Sequence, residues 1–310
     1  MRPGISVYLM FAPDSTPNGE ALAIVAPLMW ILALLFLEVY IRRERSDQVN
    51  IEQHYVSIPS KASEEDGLIR IVNYQRNFVR VKLVQKQELN HNTSLFVFEL
   101  PESAELFTFP GHYVTLRHKE SGVVCRHYSP ITEFTRHFGR QGALALAIKR
   151  YQEGPMSEWL HDKLDFGETV EMMGPSGTFY YAPNQYEAIG IIAGGTGITP
   201  FLSLIVSVLT NRADQTQIKL LYIASSARDF IFKQELDQLV QQFPNSFEVS
   251  FVADSGHVRN RSVLSKFLPK PSNSNLIAIC GPIGFCSAVQ KSLSHLKYKE
   301  HMVYTFGETD

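Results

Sequence analysis

Cysteine is scarce in this 310-residue chain, which holds only Cys125, Cys280 and Cys286. An odd number with no C-x-x-C spacing gives neither a disulfide framework nor a zinc or iron–sulfur site, and it fits a reducing compartment. Any redox group must therefore be held without cysteine ligands, and no metal site is expected. An excess of charge is lacking too: 29 Lys and Arg against 31 Asp and Glu give a formal net charge of -2. That balance offers no bulk attraction for nucleic acid, so partners have to be argued from sites. Disorder has little support either, because 45% of the residues are apolar, enough to bury a core in each of two domains.

Charge of either sign is missing from residues 21–37, ALAIVAPLMWILALLFL. With Val39, Tyr40 and Ile41 beyond Glu38, the run is long enough to cross a ~30 Å hydrocarbon core as one helix. A cleaved signal peptide would need a basic stretch directly before the run and a small-residue cleavage site after it, and neither is present. A buried helix of a soluble domain would show a polar face, and this run shows none. Pro27 is tolerated in membrane helices. Arg42, Arg43 and Arg45 follow the run, whereas Asp14 and Glu20 precede it with only Arg2, so the positive-inside rule puts the C-terminal part in the cytosol. The expectation is a single-pass membrane protein on the endoplasmic reticulum or mitochondrial outer membrane. Its N-terminal non-cytosolic segment is 1–20, its transmembrane helix 21–41 and its polar linker 42–75.

Beyond the linker two patterns follow. Over residues 76–182 short strands (FVRVKLVQ, SLFVFEL, HYVTLRH, ALALAIKR, TVEMMG) are punctuated by Gly, Pro and Ser, which predicts a closed or nearly closed antiparallel β-barrel. A short helix is expected at 157–163, with Ser157 as its N-cap. Over 183–310 apolar strands alternate with helices: AIGIIA, then GGTGITP and PFLSLIVSVLT; IKLLYIA, then FKQELDQLVQQF; FEVSFVA; LIAIC, then FCSAVQKSLSHL. That alternation predicts an α/β domain with a parallel sheet of nucleotide-binding type.

Four motifs carry chemistry. Gly194, Gly195, Thr196 and Gly197, with Ile198, Thr199 and Pro200, lie between a buried strand and a helix. Glycines admit a pyrophosphate close to the backbone, and the helix start supplies free N–H groups; a tight turn without ligand is the plainer alternative. Arg126, His127, Tyr128 and Ser129 precede Pro130; the arginine fork suits a phosphate, the tyrosine offers a flat face and a hydroxyl, and the serine can donate. Gly154, Pro155, Met156 and Ser157 open a helix that could face phosphate or simply be capped. Cys280, Gly281 and Pro282 follow the last buried strand, where a cysteine is either core packing or neighbour to a bound nicotinamide.

In this order the motifs resemble those of the NADH-cytochrome b5 reductase branch of the ferredoxin reductase flavoprotein family, over roughly residues 78–306. The resemblance implies an FAD domain followed by a nicotinamide-dinucleotide domain. It implies Arg126 at the FAD phosphates, Tyr128 and Ser129 at the isoalloxazine and ribityl side, and Gly154 and Ser157 at the pyrophosphate, with His127 and Met156 among the cofactor-binding residues. Ile148, Lys149, Arg150 and Tyr151 resemble the family's Ile-Lys-Val-Tyr strand, whose lysine lies close to both cofactors. Gly194, Gly195, Thr196, Gly197 and Thr199 would bind NADH, with Cys280, Gly281 and Pro282 flanking the nicotinamide. Thr196, Lys149 and Cys280 would then orient the reactants for hydride transfer, which needs no general acid or base. The family usually has proline where this chain has His127 and a methionine near Phe285. Its members commonly end at an aromatic, whereas Phe306, a candidate flavin shield, is followed here by Gly-Glu-Thr-Asp.

NADH over NADPH rests on Asp254, after the strand FEVSFVA, where a carboxylate would accept from a ribose 2′-OH; Arg228, one strand earlier, could instead favour a 2′-phosphate. With no haem or cluster module in the chain, the electrons leave for a separate partner. The resemblance makes that partner cytochrome b5 or a similar small haem protein. A reductase of ferric chelate, quinone or another haem protein is the alternative, and a non-catalytic membrane tether that keeps the fold is the alternative from another class.

Overall fold

The computed structural model describes residues 70–71, 78–101, 105–106, 109–118, 124–131, 134, 143–253 and 261–307. All of them belong to one compact unit, Ala62–Asp310. The apolar run at 21–41, the linker and Asp254 lie outside the described residues, among which no helix is long and apolar enough to cross a membrane.

The described residues begin with a two-stranded parallel pair, β1 (Arg70–Ile71) and β4 (Glu105–Leu106). The remaining strands of the first half are β2 (Val79–Asn90), β3 (Thr93–Glu99), β5 (Tyr113–His118), β6 (Val124–Tyr128), β7 (Ala143–Lys149) and β8 (Thr169–Ser176). They form one antiparallel sheet in the order β6-β5-β8-β2-β3-β7. Among the described residues the ladder therefore has two edges, β6 and β7, and its hydrogen bonds do not close it into a barrel.

Period-two alternation sorts the β3–β7 hairpin into two cores. Phe96 and Phe98 with Leu144, Leu146 and Ile148 fill the sheet's own core. Leu95 and Val97 with Ala145 and Ala147 face the other way, into a second core shared with the nucleotide half. Large residues thus fill one side of β7, and small ones let the second half approach on the other.

Helix α1 (Pro155–Asp162) lies between β7 and β8. It starts two residues before the sequence expectation, and Gly154 rather than Ser157 is its N-cap. The reason is local: Pro155 presets the first helical φ, and Ser157 Oγ turns back to donate to the Gly154 carbonyl (3.0 Å).

The second half holds β9 (Ala188–Gly194), β10 (Gln217–Ala224), β11 (Phe247–Ala253), β12 (Asn275–Cys280) and β13 (Val303–Thr305), all parallel, in the order β11-β10-β9-β12-β13. α2 (Thr199–Thr210) and α3 (Lys233–Gln242) pack on one face. α4 (Arg261–Phe267) and α5 (Ile283–His295) pack on the other. The strand order, not the strand direction, reverses at β9, with β10 and β11 added on one side and β12 and β13 on the other, and such a switch point opens a crevice at the carboxyl ends of the strands.

Candidate functional site

At that switch point lies a cleft of about 620 Å³, walled on one side by β6, β7 and the start of α1 and on the other by the ends of β9, β12 and β13. Its lining takes in Arg126, His127, Tyr128, Ser129, Lys149, Tyr151, Gly154, Met156, Ser157, Gly194, Thr196, Gly197, Thr199, Cys280, Gly281, Pro282 and Phe306. Three motifs from one half and fragments of two from the other thus converge on one space.

On the first wall Arg126 is exposed, and among the described residues its guanidinium donates to the Cys125 carbonyl alone (2.7 Å). Among the described residues no carboxylate pairs with it, which leaves its fork available for an anion. Tyr128, two residues on, leans on the core of the antiparallel sheet. Burial raises its pKa more than the Arg126 charge lowers it, so the hydroxyl stays neutral and can donate. His127 points the other way, with Nδ1 2.8 Å from Thr115 Oγ1 and its ring 4.6 Å from that of Tyr113. This pairing is what replaces proline at that position.

Helix α1 presents its N-terminus to the same wall. Pro155 has no N–H, and the amides of Met156 and Ser157 have no intrahelical acceptor, so two donors and the dipole face the cleft. Ser157 Oγ is occupied locally, donating to Gly154 O and accepting from Tyr151 N–H (3.1 Å), so its amide rather than its hydroxyl is what it offers. A Cβ on Gly154 would stand 2.6 Å from Ser157 Oγ and 3.0 Å from Tyr151 Cβ, so only glycine fits this turn. Far from the cleft, the helix is held by Lys86, whose ammonium donates to the Leu160 (3.2 Å) and His161 (2.6 Å) carbonyls, and by His161, whose Nε2 lies 3.0 Å from Ile148 O.

On the second wall β9 runs into a 3₁₀ turn, Gly195–Ile198, and then α2. Gly195 has φ +57, in the left-handed region that favours glycine. A Cβ on Gly197 would collide with the Cys280 carbonyl, which places the β9 and β12 ends in direct contact. Phe285 closes the base of this wall, its ring 3.0 Å from a Cβ on Gly194 and 2.7 Å from one on Gly281. Thr199 Oγ1 donates to Thr196 O (3.1 Å) and fixes the turn. Burial first, then Cys286, push the Cys280 thiol up to about 12, against a weaker pull from the Gly281 amide, so it is a neutral thiol at physiological pH.

Phe306 sits where the two walls meet. Its amide donates to Ile279 O (2.9 Å), and its ring packs against Phe179 (5.1 Å), Phe201 (5.1 Å) and Tyr304 (4.8 Å).

Two expected residues fall outside the cleft. Ile148 is 1% exposed and buried in the antiparallel core, because alternation along β7 turns Lys149 to the cleft and its neighbour away. Gly195 shapes the turn without lining the space. Sequence reading missed Gly111, Tyr113, Ala147, Gly177, Thr178, Tyr304 and Thr305, which also line it. Of these, only the glycines at turns gave any signal.

The arrangement fits a flavin dinucleotide on one wall and a nicotinamide dinucleotide on the other: an arginine with no carboxylate partner among the described residues and a helix N-terminus for one, a glycine turn with a helix N-terminus for the other. Known proteins match it in two pieces. Residues 80–181 fit the family described as Oxidoreductase FAD-binding domain, and residues 191–291 fit Oxidoreductase NAD-binding domain. The chain is thus an FAD- and NAD-dependent oxidoreductase with a ferredoxin reductase-like fold. It is 33% identical over 242 residues to NADH-cytochrome b5 reductase 1 of Dictyostelium discoideum, covering 74% of this chain and 82% of the relative. It is 28% identical over 292 residues to a plasma membrane-associated coenzyme Q6 reductase of Saccharomyces cerevisiae, covering 91% of this chain and 85% of the relative. The cytochrome b5 reductase domain of Ulva prolifera nitrate reductase is similar in structure, with TM-score 0.67, 26% identity, and 75% of this chain and 98% of that one covered. The chain belongs to the NADH-cytochrome b5 reductase family.

Proposed function

We propose that this enzyme takes hydride from NADH in the cleft and passes single electrons to cytochrome b5 or a similar small haem protein, while a helix at 21–41 holds it on the cytosolic face of a membrane. The observation that carries the reading is the convergence of both half-sites on one cleft. FAD, when bound, supplies the chemistry: it accepts a hydride and releases electrons one at a time. The chain's own residues bind and orient. Arg126 and the Met156 and Ser157 amides would hold the FAD phosphates, with Tyr128 and Ser129 beside the ring and ribityl. The Gly194–Gly197 turn would hold the NADH pyrophosphate, with Thr196, Lys149 and Cys280 around the nicotinamide and Phe306 covering the flavin. Cys280 acts there as a neutral, polarisable contact.

The acceptor is supported by the names of the relatives, and the anchor by the uncharged run with arginines behind it. A quinone acceptor is the second reading. The yeast coenzyme Q6 reductase aligns over 91% of this chain, an extent that must take in part of the apolar run. Stopped-flow mixing of NADH-reduced protein with cytochrome b5, a quinone and a ferric chelate tests both readings. Fastest reoxidation by cytochrome b5 supports the first, and fastest by quinone replaces it with the second. Alkaline carbonate extraction of membranes tests the anchor, and release of the full chain into the supernatant would remove it.

A further inference from the structure

Residues 177–187 connect β8 of the antiparallel sheet to β9 of the parallel sheet, and this connector is tied at both ends. Midway along it Tyr181 Oη donates to Asp214 Oδ2 (2.6 Å) and lies 2.9 Å from Thr216 Oγ1, whose own proton goes to the Tyr186 carbonyl (2.8 Å). Asp214 Oδ1 accepts from the amides of Asn184 (3.2 Å) and Thr216 (3.1 Å). Asn184 returns two bonds to the same loop, accepting from Gln215 N–H (2.8 Å) and donating to Ala213 O (2.8 Å). One carboxylate thus gathers the connector and the α2–β10 loop into a single knot. At the near end Thr178 Oγ1 bonds Tyr304 Oη (2.9 Å), and the Phe179 ring packs on Tyr304 (4.9 Å) and Phe306 (5.1 Å). Thr178, Tyr304 and Phe306 line the cleft, whereas Tyr181 and Asp214 do not.

We propose that Tyr181 and Asp214 are positioning residues for hydride transfer: their knot fixes the connector, and the connector fixes the Thr178–Tyr304–Phe306 wall that both half-sites share. A loop stapled only for stability could be tied anywhere along its length. Here the tie at Tyr181 lies only three residues along the chain from the cleft contact at Thr178, so slack at the first becomes displacement at the second. The step being positioned is NADH + H⁺ + FAD giving NAD⁺ + FADH₂, whose rate falls steeply when the reacting atoms are misplaced by an ångström or less. The proposal rests on the cleft binding both dinucleotides and does not depend on the acceptor.

Tyr181→Phe, which keeps the ring in the core, and Asp214→Ala test it in the full-length holoprotein. Stopped-flow reduction over a range of NADH concentrations separates the limiting rate from the NADH dissociation constant. FAD content and the long-wavelength absorbance of the reduced enzyme with NAD⁺ are read in parallel. The expected result is full FAD content, an NADH dissociation constant within about threefold of the parent, and a limiting rate lower by about tenfold or more, with that absorbance weakened. Asp214→Asn, which keeps one acceptor oxygen for the two amides, recovers part of the rate. A Tyr181→Phe protein with the parent's limiting rate and absorbance, changed only in melting temperature, overturns the proposal. A parent protein whose bound flavin is not reduced by NADH would instead overturn the reading of the cleft on which the proposal rests.

Discussion

Gly197 and Cys280 touch backbone to backbone: a methyl group on Gly197 would collide with the Cys280 carbonyl. The glycine turn and the cysteine turn are one surface, built from the ends of adjacent strands.

Gly197→Ala should therefore separate these two strand ends. Overpacking of this kind costs about 1–3 kcal/mol and shifts backbone. We expect a lower melting temperature and a raised KM for NADH with FAD content unchanged, because the flavin wall belongs to the other sheet. Steady-state kinetics and flavin absorbance check this. Unchanged KM would show that the turn does not carry the nicotinamide dinucleotide.

Arg126→Ala should weaken FAD binding by about tenfold or more, as loss of a charge-assisted hydrogen bond is worth roughly 1.5–3 kcal/mol. Arg126→Lys should restore little, since an ammonium lacks the planar fork. Titration of the apoprotein with FAD measures both. Full flavin in Arg126→Ala would refute the phosphate assignment.

Cys280→Ser should slow flavin reduction severalfold while leaving FAD bound. With the thiol pushed up to about 12, no thiolate forms at physiological pH, so the reduction rate of the parent should show no ionisation near the usual thiol value. A step at that pH which vanishes in Cys280→Ser would mean that the thiolate participates.

His161 predicts acid sensitivity. Burial lowers its pKa below 6.5, with the Ile148 carbonyl opposing and the Lys86 charge adding to the effect. The unfolded chain thus binds the proton more tightly than the folded one. Stability is complete above the unfolded value of about 6.5 and falls as the pH drops through the lowered folded value. Because His161 pins α1 to β7, FAD should be released over the same range. His161→Gln, which can still donate to Ile148 O, should flatten that part of the pH profile. Identical profiles for the two proteins would remove His161 from the account.

The strands and helices nearest the glycine turns were legible in sequence, because β9 and β12 are uninterrupted apolar runs that end in glycine. Helix α4 was not: RSVLSKF is a single short amphipathic stretch, with Leu264 fully buried and most of its neighbours exposed. Nor was β13, three half-buried residues whose strand character comes from pairing with β12. β2 runs on through the polar segment KQELN because β3 supplies ladder partners as far as Asn90, a tertiary effect that no local propensity reports. In the site, Arg126, Tyr128, Lys149 and Cys280 were legible as chemistry at the ends of recognisable strands. Thr178 and Tyr304 were not, because they reach the cleft only through the packing of the aromatic group around Phe306. Ile148 shows the opposite failure: a motif transfers as a string, but strand geometry sends alternate members to opposite sides.

The same alternation bears on how inherited variation in this protein is to be read. Scored by hydropathy, Ala147→Leu and Leu146→Ala are both mild exchanges of one aliphatic residue for another. Leu146→Ala empties part of a closed interior and lowers the yield of folded protein. Ala147→Leu leaves that interior intact but puts a wedge at the seam between the two halves. What folds of such a variant should turn over slowly, a defect that an assay of protein abundance alone would miss.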